Sequence, residues 1–275
     1  MATVATRRPR KVRQPVSIFT MTVTIVLLLP LVVVALSAMH PDEYLLFPPE
    51  GLSLRWFGEA MEHPSFRRSL VLSLKIAAAS VVIGLVLTVP AAIALTRGSA
   101  RVRRTIQAAT VTPLVTPDML IALGLLIMLS QFLMSSSMIG LVLGHVLVGI
   151  PLAIQVLVAG MAGVDPNLEQ AAETLGASKL RAFLTVTLPT ILPAIGSAAV
   201  FLFIFSFDNV SISLFLSSPG QTTLPITLYQ YLEYNADPTV AAMSTILIAV
   251  GVAGALLLGK LGGLGQLAGA GRGRR

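Results

Sequence analysis

The chain has 275 residues, of which 55% are hydrophobic and 11% are charged, and its formal net charge is +7. Because soluble domains carry about 25% charged residues, this composition indicates a membrane protein and argues against a basic nucleic-acid-binding domain. The chain contains no cysteine, which excludes disulfides, thiolate metal sites and cysteine nucleophiles.

Apolar runs separated by charged segments predict six transmembrane helices, since a bilayer core is spanned by about 20 mostly apolar residues. The predicted spans are residues 16–39, 70–95, 110–131, 140–158, 191–216 and 241–258. Pro113 and Pro117 interrupt the start of the third span. We therefore expect an all-α membrane fold with a single domain at residues 16–260. A basic N-terminus at residues 1–15 precedes it, and a disordered Gly/Arg-rich tail at residues 261–275 follows it.

The distribution of basic residues predicts the orientation of these spans, because Lys and Arg in short loops are retained on the cytoplasmic side. Most of the 19 Lys and Arg residues lie in the N-terminal segment, in the second-to-third and fourth-to-fifth loops and in the tail. Arg55, Arg67 and Arg68 lie on the opposite side. Both termini are therefore predicted to be cytoplasmic, and the loops at residues 40–69, 132–139 and 217–240 to be extracytoplasmic.

The first span has two possible interpretations, because basic residues precede it and 35–37 form a small-x-small sequence. A cleaved signal peptide has an apolar region of 7–15 residues. The apolar stretch here is longer, so we favour an uncleaved anchor. The proline-containing segment that follows is expected to form an irregular loop with a short helix near residues 54–61.

The loop between the fourth and fifth spans, residues 161–189, is predicted to contain two short helices. Asp165 is a suitable N-cap with Pro166 at the first helical position. Gly176 is placed where a helix ends in a left-handed residue, and Ser178 can cap a second helix. That helix is expected to end at Leu188, before Pro189. On periodicity alone, the loop either docks a partner or rests at the membrane surface as an amphipathic element.

The spacing of this loop resembles the EAA loop of ABC importer permeases, whose pattern is Glu-Ala-Ala, three residues, Gly, nine residues, Ile-x-Leu-Pro. The chain departs from that pattern by Gln for Glu and by Val for Ile, in the matching residues Gln170, Ala171, Ala172, Gly176, Val186, Leu188 and Pro189. A salt bridge from position 170 is therefore not available, although Glu169 and Glu173 flank it. Segments 47–57, 116–118, 206–209 and 224–229 also resemble the spermidine/putrescine-type permeases.

The resemblance implies a type I ABC importer permease with six spans, located in a bacterial inner membrane and surrounded by lipid. It also implies a second related permease, two ATPase subunits that bind ATP and Mg²⁺, and an extracytoplasmic solute-binding protein. The chain itself is expected to be no enzyme and to hold no cofactor or metal, and no nucleic acid is expected as a partner. The residues assigned to ATPase coupling are Asp165, Leu168, Glu169, Gln170, Ala171, Ala172, Gly176, Lys179, Arg181, Leu188 and Pro189.

Two carboxylates fall within or at the ends of predicted spans, where an ionisable group is costly and suggests a function. We assign Asp118 and Asp208, with Ser206 and Asn209, to a possible path for a cationic solute. The alternative is structural: Asp118 could bind backbone groups freed by the prolines, and hydroxyl or amide groups often join helices. His145, within the fourth span, is interpreted as a packing residue.

The predicted function is therefore half of the translocation path of an ATP-driven importer, with spermidine or putrescine as the expected solute. Related permeases carry opine-like amino-acid derivatives, thiamine, iron or phosphonates, so these solutes stay open. A self-contained secondary transporter is the rival from another class, but such proteins commonly show inverted repeats and charged groups at the midplane. A membrane scaffold without a path is the second rival.

Overall fold

The computed structural model describes residues 13–44, 47–132, 137–218, 220–235 and 237–270. In these ranges every regular element is helical. The chain divides into two compact units, one made of Met1–Ala60 and Asn235–Thr245 and the other of Met61–Tyr234 and Ile246–Arg275. Helix α12, Pro238–Ala270, contributes residues to both.

The first unit contains the long apolar helix α1, Arg13–Ser37, and most of the short helix α2, Arg55–Glu62. The indole N–H of Trp56 donates to the carbonyl of His40 at 2.7 Å, and both residues are buried. This bond holds α2 against the loop that follows α1. The short helix expected near residues 54–61 is confirmed.

The second unit is built around three long helices that pack against one another: α3, Pro64–Arg97; α6, Met138–Met161; and α9, Leu188–Asp208. Glycines allow this close approach. A Cβ atom added at Gly84 would lie 2.8 Å from Leu202 Cδ1, and one added at Gly149 would lie 3.0 Å from Leu202 Cδ2. Small residues at helix contacts are the usual means of tight packing in membranes.

The predicted third span is bent. Helix α4, Ala100–Val115, and helix α5, Asp118–Ser130, meet at 108° across Thr116 and Pro117. Proline has no N–H to donate and disfavours a helical residue before it, which accounts for the break. In the described ranges five helices are long and apolar enough to cross a membrane, and six if this bent pair counts as one span.

The predicted fifth span is also interrupted. We expected one helix over residues 191–216, but α9 ends at Asp208 and helix α10 covers Val210–Leu216. Asn209 between them is extended, with φ −72° and ψ 109°. Its side chain caps α10, and local side-chain bonds of this kind compete with a continuous helix.

Several other boundaries differ from the sequence predictions because apolar content does not mark where hydrogen bonding ends. Helix α3 begins at Pro64, six residues before the predicted span, and helix α11, Leu224–Tyr234, lies within the loop predicted at 217–240. Helix α12 continues to Ala270, into the segment predicted as the tail at residues 261–275. Residues 1–12 and 271–275 lie outside the described residues.

Candidate functional site

The loop between α6 and α9 begins with helix α7, Pro166–Thr174, whose two ends are capped by local bonds. The Asp165 carboxylate accepts the Asn167 N–H at 2.9 Å. At the other end Gly176 has φ +91°, its N–H donates to Glu173 O at 2.9 Å, and the Ala177 N–H donates to Ala172 O at 3.0 Å. These two bonds form a Schellman motif, which satisfies the last carbonyls of the helix. The predicted cap and left-handed residue are confirmed.

The second helix of the loop differs from the prediction that it ends at Leu188. Helix α8, Lys179–Ala182, is capped by Ser178 and passes through a π-helical turn, Phe183–Thr187, directly into α9. The Leu188 N–H donates to Phe183 O, five residues earlier. A π turn here widens the helix where the Pro189 ring would otherwise press on the carbonyl four residues before it. The loop is therefore joined to α9 without a hinge at Pro189.

A hydrogen-bonded cluster connects α7 to α3 and to the π turn. Arg97, the last residue of α3, places Nη1 2.6 Å from Glu169 Oε2. The Thr187 hydroxyl donates to the other carboxylate oxygen of Glu169 and accepts from Arg97 Nη2 at 3.3 Å. We call these three residues the Arg97–Glu169–Thr187 latch. Sequence reasoning missed Arg97 and Thr187, because they lie 72 and 18 residues from Glu169.

The latch determines the ionisation of Glu169. Partial burial by itself would raise the pKa of the Glu169 carboxyl, but the hydrogen bonds from Thr187 and Arg97 and the Arg97 charge outweigh burial, so the pKa is lowered. Glu169 is therefore ionised at neutral pH and its carboxylate is engaged inside the chain. The expectation that Glu169 could reach a partner's basic group is not supported by this geometry.

The face of the loop that does not take part in the latch carries exposed side chains. Leu175 is 89% exposed, and Leu168 and Leu180 are also exposed. Of the predicted coupling residues, Glu169, Ala172 and Leu188 are partly buried. The other exposed predicted residues are Asp165, Gln170, Ala171, Gly176, Lys179, Arg181 and Pro189. Exposed leucines beside polar groups form a surface of the kind that a protein partner covers.

The predicted path residues are brought together in part. Asn209 caps α10 by accepting the Ile212 N–H at 2.8 Å, and its Nδ2 donates to Asp118 Oδ2 at 3.3 Å. The break in the fifth span thus contacts the break in the third. Asp118 is the first residue of α5, and its side chain is thus bonded to a side chain of another segment.

Asp208 and Ser206 have different surroundings. Asp208 is exposed at the C-terminal end of α9, where the helix dipole disfavours a negative charge. Among the described residues no ion pair or side-chain hydrogen bond involves its carboxylate. Ser206 is buried and contacts His145 and Ser80, so it faces the helix core rather than an open surface.

Comparisons with known proteins agree with this architecture. A family profile described as "Binding-protein-dependent transport system inner membrane component" matches residues 81–261. The putrescine transport system permease protein PotI of Escherichia coli (strain K12) is 32% identical, over 74% of this chain and 75% of PotI. The spermidine/putrescine transport system permease protein PotC of Haemophilus influenzae is 26% identical, over 82% of this chain and 88% of PotC.

The chain is also similar to a permease named for another solute and to a chain of known structure. The molybdate/tungstate transport system permease protein WtpB of Pyrococcus abyssi is 30% identical, over 69% of this chain and 76% of WtpB. A chain in the crystal structure of a bacterial alginate ABC transporter, in complex with an alginate pentasaccharide-bound periplasmic protein, has a TM-score of 0.66. It is 16% identical, and the match covers 90% of this chain and 93% of that chain. That similarity concerns the fold.

Proposed function

The chain belongs to the family of inner membrane components of binding-protein-dependent transport systems, and from this premise we propose that α7 docks a separate ATPase while Asp118, Asp208 and Asn209 line half of a cation path. The chain is an ABC importer permease of a bacterial inner membrane and not an enzyme. The coupling contact, the path and the solute are the proposal.

The orientation that this proposal requires has both termini in the cytoplasm. The basic residues support it, because most Lys and Arg residues lie in the N-terminal segment, in the second-to-third loop, in the loop with α7 and in the C-terminal tail. In this orientation α7 projects into the cytoplasm, where ATP is available. The permease would then work with two ATPase subunits that hold ATP and Mg²⁺, a second related permease and an extracytoplasmic solute-binding protein.

The open face of α7 is the observation that carries the docking proposal. The latch occupies Glu169, so the groups left for a partner are the Gln170 amide, the Glu173 carboxylate and the exposed Leu175 side chain. The Schellman turn at Gly176 presents Leu175 at the tip of the loop. An ATPase surface with an apolar groove and a neighbouring basic group would complement this set.

The charge of the path supports a cationic solute. Two carboxylates inside apolar segments, one of them unpaired within the described part of the chain, favour an amine over an oxyanion. This distinguishes the chain from its relative WtpB, named for molybdate and tungstate, and agrees with PotI and PotC, named for putrescine and spermidine. We therefore propose a polyamine as the solute. Thiamine and iron, the other cationic solutes, are tested as competitors in the uptake experiment described below.

The docking proposal is tested by purifying complexes from native membranes in mild detergent and identifying the proteins retained. Wild type should retain an ATPase and a second permease, whereas Gly176→Val should lose the ATPase, because a branched residue resists φ +91°. Gly220→Val is the matched control, since Gly220 also has a positive φ of 81° and open space around it. An ATPase lost from both variants, or absent from wild type, contradicts the docking proposal.

The solute is tested by reconstituting the purified transporter with its binding protein in liposomes. Uptake of radiolabelled putrescine should require ATP and should be inhibited by excess spermidine but not by molybdate. Inhibition by thiamine or ferric iron instead would reassign the cation. Uptake of molybdate in place of putrescine would contradict the cation path, and uptake without ATP would favour a secondary transporter.

A further inference from the structure

The interior of the second unit contains a hydrogen-bonded chain centred on His145. This residue of α6 is 1% exposed. Its Nδ1 lies 3.1 Å from Ser206 Oγ, and its Nε2 lies 3.2 Å from Ser213 Oγ. Ser206 Oγ also lies 3.2 Å from Ser80 Oγ of α3. Both ring nitrogens of His145 are therefore engaged, as a polar group in an apolar interior requires.

The two serines lie on opposite sides of the break in the fifth span. Ser206 is on α9, just before Asp208, while Ser213 is on α10, in the turn that follows Asn209. A single imidazole thus connects both segments. No backbone hydrogen bond of a continuous helix crosses the extended residue Asn209, so the relative position of α9 and α10 depends on side-chain contacts of this kind.

The chain of bonds continues from Ser213 to the path residues. The Ser213 hydroxyl donates to the Asn209 carbonyl at 2.9 Å, and the Asn209 amide donates to Asp118 at 3.3 Å. Steric contact fixes the same region from α6, because Gly144 leaves no space between α6 and Ile212. His145 therefore connects to Asp118 through Ser213 and Asn209, and each of these groups has a defined partner.

We propose that His145 is a positioning residue that holds the two segments of the broken span together and so places Asn209 and Asp118 for the solute. This rests on the proposed path. His145 does not touch the solute in this scheme. A residue that only fills space would be replaced without loss by a ring of similar size. A positioning residue needs its hydrogen bonds, above all the one to Ser213 that leads to Asn209 and Asp118.

The absence of cysteine from the chain allows a structural test that does not depend on transport. A single cysteine at Val210→Cys reports on the break, and one at Ile204→Cys on α9 is the matched control, since the two native residues are 43% and 47% exposed. In the His145→Phe background, thiol labelling at position 210 should accelerate about threefold to tenfold, the range expected for losing interhelical hydrogen bonds. Labelling at position 204 should not change.

Uptake measured on the same variants tests the positioning role. His145→Phe should raise the KM for putrescine about threefold to tenfold with little change in maximal rate. His145→Gln, whose amide reaches the former Nε2 position, should keep the bond to Ser213 and recover most of the KM. His145→Asn, which reaches only the Nδ1 position, should not recover the KM. Ser213→Ala should resemble His145→Phe.

Each outcome decides the proposal. Unchanged labelling at position 210 overturns the proposal, because it shows that His145 does not hold the break. Equal acceleration at positions 204 and 210 also overturns it, because it shows a general loosening of the helices. Faster labelling at 210 with an unchanged KM overturns the positioning of the solute site. If wild type transports no putrescine, the proposed function fails, and the labelling rates alone still decide whether His145 holds the break.

Discussion

Arg97 Nη1 lies 2.6 Å from Glu169 Oε2 and thereby ties the end of α3 to the first turn of α7. The same carboxylate is bound by Thr187 in the π turn that continues into α9. Two long helices of the second unit are thus joined to the loop that faces the proposed ATPase. Movement of α7 would be transmitted to both helices as long as this latch stays closed.

Breaking the latch should uncouple ATP hydrolysis from transport. Glu169→Gln removes the charge that holds Arg97, so ATPase activity in the assembled complex should continue while the solute moved per ATP falls by about threefold to tenfold. Glu62→Gln is the matched control, because Glu62 is an exposed glutamate on α2, outside the loop with α7. The ratio of uptake to phosphate release measures the effect.

Exchange of the two charges provides a second test of the latch. Arg97→Glu or Glu169→Arg alone should place like charges together and abolish coupled uptake, whereas the double variant should recover part of it because an ion pair can form again. Recovery should be incomplete, since Thr187 cannot donate in the same way to an arginine. A double variant no better than the worse single variant would contradict a direct pairing.

The lowered pKa of Glu169 predicts a pH-dependent contribution to stability. The folded-state pKa is below the ordinary value of 4.5, so ionised Glu169 stabilises the fold fully above about pH 4.5, and this contribution is lost as the pH falls through the folded-state pKa. The unfolding temperature in detergent should therefore fall less steeply for Glu169→Gln than for wild type below pH 4.5. Parallel curves of unfolding temperature against pH for the two proteins would contradict the stabilising role of ionised Glu169.

The contact between α6 and α10 predicts a steric effect at Gly144. An added Cβ would lie 2.6 Å from Ile212 Cγ2 and 2.8 Å from Leu216 Cδ1, so Gly144→Ala should destabilise by about 1–3 kcal/mol through overpacking. Gly124→Ala on α5 is the control, because no atom lies within 4 Å of its added Cβ. Thermal unfolding in detergent compares the two variants, and equal unfolding temperatures would argue against the close contact.

The unpaired carboxylate of Asp208 predicts an electrostatic effect on solute binding. Asp208→Asn should raise the KM for putrescine by about tenfold, equivalent to roughly 1.4 kcal/mol, with normal amounts of assembled complex. Asp42→Asn, at an exposed position outside the apolar helices, should leave the KM unchanged. An unchanged KM in Asp208→Asn would remove Asp208 from the proposed path.

Local signals allowed the sequence to determine the helical class, the number of apolar runs and the ends of α7. Asp165, Gly176 and Ser178 act on groups within five residues of themselves, so their roles follow from neighbours in the chain. The same holds for the break at Pro117. The family resemblance depended on this local spacing, and the profile match over residues 81–261 confirmed it.

Only the tertiary structure decided which polar groups meet. Glu169 was predicted to face a partner, yet Arg97, 72 residues away in the chain, engages it. Ser206 was assigned to the path, yet it is buried against His145, 61 residues away, and Asp118 is joined to Asn209 at a separation of 91 residues. Such pairs depend on how long helices cross, and the sequence of one chain contains no local signal for the distance between helices.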